Sequence, residues 1–128
     1  MKPELMWLLW AVALTFAQVL VAVAGAQMRV GLPVLVANRE NMAEHSGWVG
    51  RAQRAHRNML ENMLLFATLI LIAVVAGKTN GTTLLGAQIF FWGRVAYALV
   101  YYAGIPWLRT GVWAVSLVGM VMIFLQLV

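Results

Sequence analysis

Four long apolar stretches, separated by short polar connectors, constrain this chain more than any other feature of its sequence. A helix that crosses the hydrocarbon layer needs about 20 mostly apolar residues, because no water is present there to satisfy backbone N–H and C=O groups. Residues 5–26 meet this requirement, interrupted only by Thr15, Gln18 and Gly25. Residues 63–77 are apolar but shorter, and the arginine-bearing turns before them extend the second helix into the headgroup layer. Residues 84–103 form a third stretch, with Arg94 near its centre, and 111–128 a fourth, interrupted by Ser116 and Gln126. The expected fold is all-α: an integral membrane four-helix bundle in one domain over 1–128, with spans near 4–27, 47–77, 83–103 and 109–128.

The connectors support this division. Lys78-Thr79-Asn80-Gly81 carries an Asn-Gly turn signal, with Thr82 or Thr83 available as an N-cap. Gly104-Ile105-Pro106 separates the third helix from the fourth. Residues 28–47 form the one long loop, holding Pro33, Arg39, Glu40, Glu44 and His45. No internal repeat or low-complexity segment is present. Ala24-Gly25-Ala26 resembles a signal cleavage site, but the preceding apolar run is too long for a signal core and Lys2 stands beside Glu4. The first stretch is therefore expected to remain as a span.

Composition narrows the function. Only 10% of the 128 residues are charged and 63% are hydrophobic, whereas soluble domains carry roughly 25% charged residues. There is no cysteine, which excludes disulfides, thiolate metal sites and a sulfur nucleophile from the protein itself. Any sulfur chemistry must use a ligand's sulfur. No metal is expected. The net charge is +5, and five of the nine basic residues (Arg29, Arg39, Arg51, Arg54, Arg57) fall within residues 29–57. Set between apolar spans, they suit a membrane surface or a small anion, and no nucleic-acid partner is expected. Arg29, Arg39, Arg51 and Arg109 lie on one side of the membrane and only Lys2 and Lys78 on the other. The positive-inside rule places the arginine side in the cytoplasm and both termini outside.

At 100° per residue, Arg51, Arg54, Arg57, Asn58, Glu61 and Asn62 fall within an arc of about 140° on the second helix. Glu61 directly precedes a long apolar run, so it must be paired or face a cavity. Arg51 alone suits a flank that holds lipid phosphate. Glu61 alone suits a structural ion pair with Arg57, Arg54 or Arg94. Asn58 adds directional hydrogen bonding that lipid anchoring does not need. On the third helix, Arg94, Tyr97 and Tyr101 share a face, and an arginine in mid-span must turn into the bundle, with Glu61 as its expected partner. Tyr102, Trp7, Trp10, Trp48 and Trp107 are expected as interfacial anchors. Arg109 and Thr110 are placed at the start of the fourth helix, where free N–H groups and a guanidinium together favour a thiolate or oxyanion; the alternative for Arg109 is another basic flank.

The run Arg51-Ala-Gln-Arg54-Ala-His56-Arg57-Asn58-Met-Leu-Glu61 resembles the signature of the membrane-associated proteins in eicosanoid and glutathione metabolism. Arg94 with Tyr97 and Tyr101, then Arg109, is similar to that family's third-helix pattern and its following arginine. The resemblance extends over nearly the whole chain. It implies a homotrimer with glutathione as cosubstrate, bound between neighbouring subunits near the cytoplasmic face. Arg54, Asn58, Glu61, Arg94, Tyr97 and Tyr101 would contact the tripeptide, Arg109 would stabilise its thiolate, and Arg29 and Arg57 would support binding. The residue chemistry agrees, since glutathione carries two carboxylates and one ammonium. Asn62 stands where eukaryotic synthases of the family carry an aromatic residue, and only Glu40 or Asn41 could replace the acidic residue of the prostaglandin enzyme's first loop. Both departures argue against an eicosanoid substrate, and the short loops resemble those of a bacterial-type member in an inner membrane, for which a hydrophobic electrophile or a lipid hydroperoxide is expected.

Three function classes follow. The first is a glutathione transferase or peroxidase. The second is a non-catalytic lipid-binding or scaffold member of the same fold. The third is a small multidrug exporter, against which the arginines around Glu61 argue because they would repel a cationic cargo.

Overall fold

The computed structural model describes residues 1–31 and 46–128. The loop residues Pro33, Arg39, Glu40, Asn41, Glu44 and His45 lie outside the described residues. Four helices follow in chain order: α1 Pro3–Val30, α2 Gly47–Val75, α3 Gly81–Ala103 and α4 Pro106–Leu127. All four are long and apolar enough to cross a bilayer. The arginine-bearing turns of α2 are continuous with its apolar remainder, so the charged face and the membrane span belong to one rigid element.

α2 and α3 occupy the middle of the bundle. α1 packs on both, α4 packs most extensively on α3, and α1 and α4 do not meet among the described residues. The core sits where α2 and α3 cross, with Phe66 stacked on Phe90 at 4.0 Å between ring centroids. Met59, Ile70, Ala87 and Ile123 surround them, all fully buried. Outward-facing leucine, valine and phenylalanine side chains cover much of the exterior, as expected where the solvent is lipid.

Small residues bring α3 and α4 together. A Cβ on Gly86 would lie 2.6 Å from the Gly119 carbonyl oxygen, and one on Gly93 would lie 3.2 Å from the Ser116 backbone nitrogen. With no hydrophobic drive between helices in lipid, such close backbone approach is a main source of helix–helix affinity. Gly25 performs the same task between α1 and α2, where Trp48 and Val49 close over it.

The ends of the helices refine the sequence reading. The N-cap of α3 is Asn80 rather than Thr82 or Thr83: its side chain accepts from the N–H groups of Thr82 and Thr83, and Thr83 Oγ1 accepts from the Asn80 N–H at 2.8 Å. A residue at the cap itself, in extended backbone, can aim its oxygen at the orphan donors that follow, and one inside the first turn cannot. Thr83 Oγ1 also lies 2.9 Å from the Glu4 carboxylate, both groups buried, which ties the start of α1 to the start of α3. At the other end, Gly104 closes α3 in the left-handed region at φ 79°. Arg51 Nε donates to the Tyr102 carbonyl at 3.1 Å, a cation set on the negative end of α3. α4 starts at Pro106, three residues before the expected boundary. Tyr102, expected as an interfacial anchor, instead turns its hydroxyl into the protein, where it is buried toward the Gln18 amide of α1.

Candidate functional site

The polar face of α2 and the aromatic face of α3 form one cleft. Arg54, Arg57, Asn58 and Glu61 line it from α2, and Tyr97 and Tyr101 from α3, around an open volume of about 350 Å³. The helical spacing that puts the α2 residues on one side is what sequence periodicity gives. Which α3 residues they meet is decided by packing. Arg54 Nε donates to the Tyr101 hydroxyl at 3.2 Å, and the Tyr97 and Tyr101 rings meet edge to face at 5.4 Å.

A second cavity of about 240 Å³ adjoins the first, lined by Asn58, Tyr97, Arg109, Thr110 and Trp113. Asn58 and Tyr97 belong to both walls. The Arg109 guanidinium lies 4.6 Å from the centroid of the Tyr101 ring, against its face. Arg109 is therefore adjacent to the α2 cluster, although it is 48 residues beyond Glu61 in sequence. Its backbone N–H is already used, donating to the Ile105 carbonyl at 3.1 Å. The helix start supplies its free N–H groups from Trp107 and Leu108, since Pro106 has none. At Arg109 the positive charge comes from the side chain, with the dipole of the first turn behind it.

Arg94 departs from expectation. It is fully buried behind Tyr97, its Cζ 4.1 Å from that ring's centroid, and it does not line the cleft. Its Nε donates to Met59 Sδ at 3.3 Å, while Nη1 and Nη2 are buried without a hydrogen-bond partner among the described residues. The expected pairing with Glu61 is not formed: Glu61 is exposed on the cleft wall. The reason is geometric, since the Tyr97 ring stands between the cleft and the guanidinium. Arg29 also stands apart within one chain, donating Nη1 to the Ser46 carbonyl at 2.6 Å. Arg51 is engaged with the end of α3 rather than with the cleft.

Two lining residues were not singled out as site residues by sequence. Thr110 enters the sequence reading only as a neighbour of Arg109. Trp113 lies at i+4 from Arg109, and that spacing on one helix face was the available signal. Asn62, one position past the motif glutamate, is buried and donates Nδ2 to the Asn58 carbonyl oxygen at 2.9 Å and to Asn58 Oδ1 at 3.2 Å. It holds the amide that both cavities share. Among the described residues no group of histidine, cysteine, aspartate or glutamate is placed to hold a metal ion.

The fold and this cleft define an integral membrane four-helix protein with an arginine-rich, tyrosine-walled polar site at one end of its spans. The MAPEG family model matches residues 5–128, and the chain belongs to that family. No curated protein and no solved structure matches it. Family membership places the chain broadly among membrane proteins of eicosanoid and glutathione metabolism, and it sets aside the exporter reading.

Proposed function

We propose that this chain is a membrane-bound glutathione transferase or peroxidase, with glutathione held in the Arg54–Glu61 cleft and its sulfur directed at Arg109. The observation that carries this reading is the meeting of Arg54, Arg57, Asn58, Glu61, Tyr97 and Tyr101 in one cleft that opens onto the cavity of Arg109. Arg54 and Arg57 suit the two carboxylates of the tripeptide through charge-assisted hydrogen bonds. Glu61 suits its ammonium, and Asn58 offers both a donor and an acceptor for a peptide group. Arg109 then favours the thiolate over the thiol, and each unit of lowered thiol pKa corresponds to about 1.4 kcal/mol. Thr110 stands beside it, its hydroxyl donating to the Pro106 carbonyl at 3.3 Å.

Within one chain the cleft is open, and Arg29 does not reach it. Both facts support an assembly in which a neighbouring subunit closes the site, as in a homotrimer. The proposed setting is a bacterial inner membrane with the arginine end in the cytoplasm, where glutathione is soluble. The hydrophobic electrophile or lipid hydroperoxide would arrive laterally through lipid.

The test is glutathione binding to the purified protein, followed by ultraviolet absorbance of the thiolate. The wild type is expected to bind and to show the thiolate band. Arg109→Ala is expected to bind, lose the band and lower conjugation by on the order of a hundredfold, the scale for removing one preorganised charge donor. A wild type that binds no glutathione overturns the reading. A full band in Arg109→Ala removes Arg109 from the mechanism, and binding without turnover of any electrophile or peroxide favours a non-catalytic scaffold.

A further inference from the structure

Asn62 is a buried amide in α2, one position past Glu61, where apolar side chains take over. A polar side chain in a membrane span must find its partners inside the protein. Elsewhere this chain meets that need with threonine: Thr15, Thr68 and Thr110 each donate their single hydroxyl proton to the carbonyl four residues back. Asn62 makes the same bond, to the Asn58 carbonyl at 2.9 Å. Its amide nitrogen carries a second proton that a threonine lacks, and that nitrogen also lies 3.2 Å from the Asn58 side chain.

That second bond fixes which way the Asn58 amide faces. A backbone carbonyl only accepts, so the Asn62 atom against it is the Nδ2 donor. The Asn58 side-chain atom that shares this donor must also accept, and it is Oδ1. Nδ2 of Asn58 is then the end of the amide turned away from Asn62. Asn58 lines both the cleft and the Arg109 cavity. Unheld, an amide can turn either its oxygen or its nitrogen to a ligand there. Held by Asn62, it turns its N–H donors.

We propose that Asn62 is a positioning residue: it locks Asn58 as a donor where the two cavities meet, and thereby favours an anionic sulfur there over a neutral thiol. This rests on the glutathione reading above. A thiolate accepts, and it gains from an aimed N–H as it gains from the Arg109 guanidinium. An amide oxygen turned to the same place would oppose its charge. A neutral thiol is a weak donor and a weak acceptor, so it gains little from either end of the amide. Because Asn62 sets the orientation before the ligand arrives, no reorientation opposes the thiolate when it forms.

The experiment titrates the thiolate band of bound glutathione against pH in the purified protein and four variants. Asn62→Thr keeps the bond to the Asn58 carbonyl and lacks only the second proton. Its midpoint is expected to rise by about 0.5, because the freed amide still faces the sulfur part of the time. Asn62→Asp, charged or neutral, keeps an oxygen toward the Asn58 amide and so draws its Nδ2 away from the cavity. There the midpoint is expected to rise by about 1, tenfold being the scale of one hydrogen bond to a charged group. Asn58→Ala should raise it as well, and adding Asn62→Thr to that variant should change nothing more. Unchanged midpoints in the Asn62 variants, or a further rise in the double variant, overturn the role of Asn62 and leave the glutathione reading intact. The threonine variant decides the matter if the aspartate variant fails to fold. A wild type without the thiolate band overturns the glutathione reading, and the inference falls with it.

Discussion

At the residue scale, the informative side chain is Arg94. A guanidinium inside a membrane span is costly unless its charge is delocalised, paired or solvated. Here it lies against the face of Tyr97 and donates to the polarizable sulfur of Met59. Both are weak partners for a cation, and two guanidinium nitrogens are left without one among the described residues. The role this geometry gives Arg94 is to hold the Tyr97 ring, which in turn walls both cavities. The expected consequence is non-additivity. Arg94→Met and Tyr97→Leu should couple by about 1 kcal/mol in unfolding experiments in detergent, the scale of a desolvated cation–π contact. Additive effects would mean that the ring and the guanidinium act independently. The mid-span position of Arg94 and its inward direction were legible in sequence. Its concealment behind Tyr97 was not, because that depends on how far α3 rotates against α2.

At the scale of elements, the α3/α4 pair fixes Arg109 and Trp113 relative to the α2 cluster. That pair closes through Gly86 against Gly119, at a distance that admits no side chain. Gly86→Ala should therefore force the two backbones apart. The expected loss is about 1–3 kcal/mol, the range for overpacking a fitted interface, together with a weakened thiolate signal as Arg109 moves from Tyr101. Gly111, on α4, has open space at its Cβ position. Gly111→Ala should leave stability unchanged or raise it by up to about 1 kcal/mol through helix propensity. Thermal unfolding of both variants checks the contrast, and equal destabilisation would show that glycine spacing is not what holds α3 to α4. Helix number and order were legible from the four apolar runs. The cap at Asn80 and the start of α4 at Pro106 were displaced from the expected boundaries, because caps depend on local backbone geometry that periodicity does not record.

At the scale of the whole molecule, the cleft and the Arg109 cavity beside it are lined by three helices, and the cleft remains open to one side. The proposed homotrimer closes that side with a second chain. Native mass measurement in mild detergent should give three copies, and Arg29→Ala should weaken glutathione binding although Arg29 lies outside the cleft of its own chain. A monomer that binds glutathione with full affinity would sink this reading.

The sequence by itself determined the membrane, the four spans and the polar face of α2. Each follows from properties that act along the chain: hydrocarbon excludes unsatisfied backbone, and helical periodicity orders side chains by spacing alone. Tertiary structure decided what lies opposite that face. It brought Arg109 and Trp113 to the cleft from α4, withdrew Arg94 behind a tyrosine, and assigned Arg51 to the end of α3. Those outcomes are set by the small residues at which helices touch and by the rotation each contact imposes, and no pattern within a single helix specifies them.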